Sequence, residues 1–215
     1  MRILLLGGTG RTGRLILEEA LARGIEVSAL VRDAERLGRT DALIYEGSPY
    51  DPGQIERAID DCEAVVSALN VSRRSDNPFS RLRAPRDLMS RSIGHAIEAM
   101  NEHGLRRIAV ISSLGVGDSR PRMPALFRGI MALTNIRHAM RDHERQERLL
   151  MESGLDWTVV RPALLNDGEP GELRVALTLD EPLGGRTSRR AVARFLVQVV
   201  EEGRYIGQAL SISDG

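Results

Sequence analysis

Short apolar runs alternate along the chain with stretches in which apolar residues recur at helical spacing. Residues 2–6 are apolar after the first and predict a strand. In residues 12–23, Leu15, Ile16 and Ala20 share one helical face, and Gly24 closes the helix. Residues 26–31 and 43–46 read as the next two strands. Residues 51–60 predict a short helix, with Asp51 as N-cap and Pro52 in the first position. A fourth strand follows at 64–69. Residues 71–86 break the rhythm: polar, rich in arginine and interrupted by Pro78 and Pro85, they predict a long loop. A helix over 88–103 ends at Gly104, a fifth strand covers 107–112, and a second loop covers 113–124. A helical stretch over 125–152 breaks near Thr134 and Asn135. Strand six, 158–161, is stopped by Pro162. The tail holds a strand (173–178), a helix (189–202) and a last short strand (209–212).

Alternating strands and helices with continuously apolar strands predict an α/β fold, a Rossmann-type doubly wound parallel sheet covered on both faces. The chain is long enough for one domain over residues 1–215 and too short for two ordinary ones. Right-handed crossovers place a ligand crevice at the carboxyl ends of the strands. The loops at about 71–86 and 113–130 belong to the substrate side of that crevice.

The first strand runs into Gly7-Gly8-Thr9-Gly10-Arg11-Thr12-Gly13, and a helical pattern begins at once. This arrangement presents a dinucleotide to a helix N-terminus. Gly7 permits the tight turn, Gly10 lets backbone approach a pyrophosphate, and Gly13 lets helix pack close to strand. Exposed amides and the positive end of the helix dipole then hold the phosphates. Arg32, at the end of the second strand, stands where a 2′-phosphate would sit, and its planar fork suits that group. Asp33 could instead reach a ribose; Arg11 and Arg36 are further phosphate candidates. The preferred cofactor is NADPH.

Composition removes several alternatives. Formal charge is zero, with 30 basic and 30 acidic residues, so nothing draws the chain in bulk to nucleic acid or to a membrane. No apolar run approaches the roughly 20 residues of a membrane span. The single cysteine, Cys62, excludes an internal disulfide and a cysteine metal cluster. The expectation is a cytoplasmic protein without a metal, monomeric or homodimeric. Every basic residue is an arginine, which excludes Schiff-base chemistry and any catalytic lysine.

The glycine turn, Leu30-Val-Arg-Asp33, Ser112-Ser113 and Ser153-Gly-Leu-Asp-Trp157-Thr-Val-Val-Arg161-Pro162 together resemble the atypical short-chain dehydrogenase/reductase group. More narrowly, the chain resembles NAD(P)H-binding proteins of the NmrA-like and biliverdin-IXβ (flavin) reductase type. The likeness covers nearly the whole chain, including Asp142-His143 and Leu177-Thr-Leu-Asp180. It implies that Gly7, Thr9, Gly10, Arg11, Thr12 and Gly13 cradle the pyrophosphate and that Arg32 binds the 2′-phosphate. It places Ser48 and Pro49 near the adenine, although the family commonly has aspartate where Ser48 stands. It places Ala68, Leu69 and Asn70 along the nicotinamide ribose, Ser112, Ser113 and Leu114 beside the nicotinamide, and Pro162 and Ala163 under its ring.

In the wider superfamily a tyrosine, and a lysine four residues later, deliver the proton to a carbonyl. Aligned on Glu147 and Leu150, those positions fall at Ala139 and His143, and the tyrosines (Tyr45, Tyr50, Tyr205) lie elsewhere. A simple ketone needs a positioned acid, typically for ~10²–10⁴-fold in rate. A flavin, quinone or linear tetrapyrrole spreads the arriving charge over its rings and needs mainly orientation. The function expected is therefore NADPH-dependent reduction of a small conjugated acceptor. Ser113 is a candidate to hydrogen-bond acceptor or carboxamide, and His143 a candidate proton relay, although a histidine on so charged a helix more often faces solvent. Arg73, Arg74, Arg81, Arg83 and Arg86 would suit an anionic acceptor, or form a solvated loop. Phe79 and Leu82, or the segment from Met123 to Met131, could cover a ring. The alternative is an NmrA-like redox sensor that binds the dinucleotide without turnover.

Overall fold

A computed structural model describes residues 1–71, 74–75 and 77–215, apart from the side chain of Phe127; the Arg73 candidate lies outside the described residues. The strands are β1 (Arg2–Leu6), β2 (Glu26–Val31), β3 (Leu43–Glu46), β4 (Ala64–Ser67), β5 (Arg107–Ile111), β6 (Asp156–Pro162), β7 (Leu164–Asn166), β8 (Arg174–Ala176), β9 (Arg186–Ser188) and β10 (Gln208–Ser213). The helices are α1 (Arg11–Ala22), α2 (Pro52–Ala58), α3 (Leu88–Glu102), α4 (Ala125–Leu133), α5 (Ile136–Glu152) and α6 (Arg189–Glu201).

One sheet runs β3-β2-β1-β4-β5-β6-β10-β8. Its order reverses between β1 and β4, the switch point where a doubly wound fold opens a crevice. Seven strands are parallel, and β8 departs from the expectation by pairing antiparallel with β10. It is a short edge strand after a tail loop, so no crossover helix obliges it to run parallel.

Each central strand feeds two cores by alternation. Ile3, Leu5, Val66, Ala109 and Val160 face the cluster under α1 and α6. Leu4, Leu6, Val65, Val110 and Val159 face the cluster under α2, α3 and α5. Leu4, Leu5 and Leu6 are fully buried, each contributing about 1.5–3 kcal/mol of apolar burial.

Helix ends follow the sequence where their caps are local. Asp51 accepts from the Gly53 amide at 3.1 Å with Pro52 opening α2. Ser188 caps α6 through the Ala191 amide at 3.0 Å. The cap of α3 comes instead from another helix: Asp142 of α5, fully buried, accepts from the amides of Met89 (2.8 Å) and Ser90 (3.3 Å) and from the Ser90 hydroxyl. Burial raises the Asp142 pKa, against the lowering effect of those hydrogen bonds.

Several boundaries differ from expectation. The predicted loop after β5 contains a 3₁₀ turn, Gly117–Arg122, and another turn, Ala34–Leu37, follows β2. Strand β6 runs through Pro162 rather than stopping before it, because a proline at the last position loses only one ladder bond. The helical stretch from 125 breaks where predicted, between α4 and α5. The short β7–β9 pair had no pattern long enough to read.

Candidate functional site

The carboxyl ends of β1, β2, β4, β5 and β6 lie side by side, as their pairing registers require. At β1, Gly7 adopts φ 88°, and a Cβ there would stand 2.9 Å from the Ala68 carbonyl carbon. A Cβ on Gly13 would overlap the Gly7 carbonyl oxygen, and one on Gly10 would sit 3.3 Å from it. Only glycine lets α1 start this close to the sheet. Gly10 is the N-cap residue of α1 and, being glycine, supplies no side-chain cap of its own. A helix amino end of this kind directs first-turn amides and the positive end of its dipole toward an anion. These residues fit a dinucleotide pyrophosphate on their own geometry. Thr9 and Thr12 are half-buried within the same turn.

Arg32 emerges exposed from the end of β2. The turn beyond it is tethered to α1 by Arg14, which donates to the Arg36 carbonyl. Arg11 is drawn toward Asp167, Nη1 to Oδ2 at 3.8 Å, and Asp167 also accepts from Arg189 at 2.6 Å. Ser48 is half-buried, and its Oγ accepts from the Tyr50 amide at 3.3 Å. At β4, the Ala68 amide bonds the Leu6 carbonyl at 2.9 Å; Leu69 is buried and Asn70 exposed.

The two serines after β5 diverge. Ser112 is buried and donates to Glu147 Oε1 at 2.5 Å. Ser113 is half-buried, and among the described residues its hydroxyl reaches only the neighbouring Leu114 carbonyl at 3.3 Å. Pro162 and Ala163 are buried at the end of β6. The Leu114 amide bonds the Pro162 carbonyl at 3.0 Å, while Ala163 is held by the Ile212 carbonyl and Thr187 Oγ1, each at 3.0 Å. The floor of the crevice is therefore rigid and the Ser113 hydroxyl is left near it.

Beneath Ser112 lies a buried ion-pair network. Arg161 Nε and Nη2 donate to Glu147 Oε1 and Oε2 at 3.1 and 2.6 Å, and Nη1 donates to Asp118 of the 3₁₀ turn. Arg161 and Glu147 are 2 % and 3 % exposed. Burial opposes the Arg161 charge, but the carboxylates of Glu147 and Asp118 raise its pKa above that of free arginine. The bidentate geometry joins β5, β6, α5 and the substrate-side loop at one point.

His143 occupies the same face of α5. It is 3 % exposed, which corrects the expectation of a solvent-facing histidine. Helical period brings it inward with Ala139, Gln146 and Leu150, all buried. Its Nδ1 receives Gln146 Nε2 at 3.1 Å, which leaves the imidazole proton on Nε2. Burial lowers its pKa to about 4, so it is neutral at pH 7.

The two loops on the substrate side are joined. Asn135, at the α4–α5 break, bonds the Pro78 carbonyl through its amide (3.0 Å) and the Phe79 and Ser80 carbonyls through its side chain (3.0 and 3.2 Å). Leu82 packs against the core, whereas Phe79 is 68 % exposed; Arg74, Arg81, Arg83 and Arg86 face solvent. A cavity of about 410 Å³ opens between the 3₁₀ turn, α4 and α5, and a second of about 310 Å³ lies between Leu114, Arg122 and residues 179–184.

Sequence reasoning missed the Glu147–Arg161–Asp118 network, the Asp142 cap and the part of Asp167. One signal was present: a charge inside an apolar central strand, as at Arg161, requires a buried partner. Among the described residues no His/Cys/Asp/Glu group could hold a metal ion, and no helix is long and apolar enough to cross a membrane.

Comparison with known proteins agrees with this geometry. The chain is 27% identical to an uncharacterised chloroplast protein of Arabidopsis thaliana over 93% of its own length and 71% of the relative's. It is 26% identical to the photosystem II assembly factor Ycf39 of Synechocystis, covering 94% of this chain and 59% of that protein. Among solved structures, ChuY, an anaerobilin reductase of Escherichia coli O157:H7, superposes with a TM-score of 0.81 at 22% identity, over 100% of this chain and 97% of that one. A short-chain dehydrogenase/reductase of Veillonella parvula in complex with NADP gives 0.77 at 18% identity, over 99% and 94%. At these identities the structural likeness is one of fold. The model for NAD(P)H-binding proteins matches residues 7–203, beginning at the first glycine of the cradle, and this chain belongs to that NAD(P)H-binding family.

Proposed function

We propose that the chain is an NADPH-dependent reductase of a conjugated acceptor such as a flavin, a quinone or a linear tetrapyrrole. The observation that carries this reading is the glycine cradle before the amino end of α1, at the switch point of the sheet. Gly7, Thr9, Gly10, Arg11, Thr12 and Gly13 would hold the pyrophosphate, and Arg32 the 2′-phosphate. Ser48 would border the adenine, and Ala68, Leu69 and Asn70 the nicotinamide ribose. Pro162 and Ala163 would support the ring, beside Ser112. When bound, the reduced nicotinamide supplies a hydride, two electrons and one proton.

The chain's own residues orient rather than protonate. Lysine is absent from the sequence. Tyr50 bonds Asp87 at 3.3 Å, Tyr205 packs against Phe195 beyond the amino end of β6, and Tyr45 lies on β3. The Ser113 hydroxyl, which donates to the adjacent Leu114 carbonyl at 3.3 Å, would exchange that local bond for one to acceptor or carboxamide. His143, neutral and buried, is a poor acid at pH 7, so we assign it to holding α5 against β5 through Gln146. A delocalised acceptor takes its remaining proton from water. The likeness to ChuY supports a tetrapyrrole among the candidates.

A regulator that binds the dinucleotide without turnover is the second reading, favoured by the relation to an assembly factor. One experiment separates them. The protein is mixed with NADPH and a panel of flavins, quinones and bilins, and absorbance is followed at 340 nm. Oxidation on any acceptor supports the reductase; tight binding with no oxidation on the whole panel supports the regulator.

A further inference from the structure

The cavity of about 410 Å³ has an unusual lining for a protein of zero formal charge. Its volume suits a small-molecule site. Met123, Met131 and Met140 form apolar wall, a soft and polarizable surface that suits a flat ring. Arg120, Arg128, Arg137 and Arg141 stand around it, against one acid, Glu144. Some arginines elsewhere are neutralised: Arg2, Arg23, Arg161 and Arg189 each meet a carboxylate within 2.9 Å. Among the described residues none of the four cavity guanidiniums has such a partner. On α5 the pKa of His138 is lowered by burial and then by the charges of Arg86 and of two cavity arginines, Arg137 and Arg141.

The cavity adjoins the proposed hydride site. Gly115 follows Ser113 by two residues and forms part of the wall; a Cβ on it would meet Met123 and also Met140, the latter at 3.6 Å. The wall of the cavity thus begins two residues beyond Ser113 along the chain, on the same loop after β5.

We propose that this cavity takes the acidic end of the acceptor, a conjugated ring bearing a phosphate or carboxylates that pair with Arg137 and Arg141. The proposal rests on the reductase reading for the position of the ring, and it adds a selection for acidic over neutral forms of one chromophore. An anion here replaces mutual repulsion among the guanidiniums with charge-assisted hydrogen bonds. The arginines of residues 74–86, by contrast, face solvent and line no part of this cavity.

Two ligand pairs test it: FMN against riboflavin, and a linear tetrapyrrole dicarboxylic acid against its dimethyl ester. Each pair shares a ring system and differs at the acid. Affinity is read by fluorescence quenching or difference absorbance with saturating NADP⁺, for the wild type and for the Arg137→Gln/Arg141→Gln variant. The acid form of at least one pair should bind tenfold or more tightly than its neutral partner. That advantage should shrink severalfold in the double variant and with added salt. Phosphate selection would appear in the first pair only, carboxylate selection in the second. No acid preference in either pair, including no binding by any of the four, overturns the proposal, as does a preference that survives the double variant. Acid-selective binding with no NADPH oxidation on any acceptor removes the reductase reading and leaves the site. Equal turnover of acid and neutral forms does the reverse.

Discussion

Protonation of His143 should destabilise this protein in a defined pH window. The imidazole is 3 % exposed and its pKa falls from 6.5 to about 4 through burial. In the unfolded chain it returns to the ordinary value. The unfolded state therefore binds the extra proton between those limits, and stability rises with pH across them. The contribution is fully present above pH 6.5 and is lost as pH falls through about 4. At about 1.4 kcal/mol per decade the total is about 3 kcal/mol, of which about 2 kcal/mol is gone by pH 5. Asp142 acts in the opposite sense, because burial raises its pKa and its protonated form is favoured in the fold. A difference against His143→Gln cancels that term. Urea unfolding followed by circular dichroism from pH 4.5 to 7.5 measures both proteins. The wild type should lose about 2 kcal/mol more than the variant between pH 7 and pH 5. Parallel curves would refute the reasoning, as would an imidazole resonance titrating near 6.5 in the folded protein. The latter outcome would restore His143 as a proton relay.

Other expectations follow from single contacts. Arg32→Ala should weaken NADPH by about 10–100-fold, the worth of a charged hydrogen-bonding group, and NADH little; equal losses in calorimetry would show that Arg32 does not read the 2′-phosphate. In Gly13→Ala the new methyl overlaps the Gly7 carbonyl oxygen, so dinucleotide binding should drop by at least tenfold with a lowered melting temperature. Unchanged affinity would mean that the cradle is not where the pyrophosphate sits. Glu147→Ala leaves the Arg161 charge buried with one carboxylate, that of exposed Asp118, and should cost about 3–5 kcal/mol in denaturant unfolding. A loss below about 1 kcal/mol would show that water or Asp118 compensates.

The legible part of the site was the part built from consecutive residues. Gly7–Gly13 declares both its turn and its helix, because the reasons for glycine there are local crowding and a positive φ. Arg32 is legible for the same reason: it sits at the end of a strand whose pattern ends there. Ser112 and Ser113 could not be separated by sequence. Alternation sends one hydroxyl inward to Glu147 and leaves the other near the crevice, and only the position of α5 shows which matters. His143 was misjudged because its immediate neighbours are charged, whereas its burial depends on residues three, four and seven positions away and on the strand they pack against.

What the sequence determined by itself was the layered α/β plan, the cradle and the absence of lysine chemistry, all properties of neighbouring residues or of composition. The tertiary structure alone decided the partners: Asp142 capping a helix from another element, Arg161 shared between Glu147 and Asp118, and four arginines gathered around one methionine-walled cavity. Such groups are far apart along the chain. Ion pairs and caps carry no periodic signature, so they exist only once packing has brought the separate elements together.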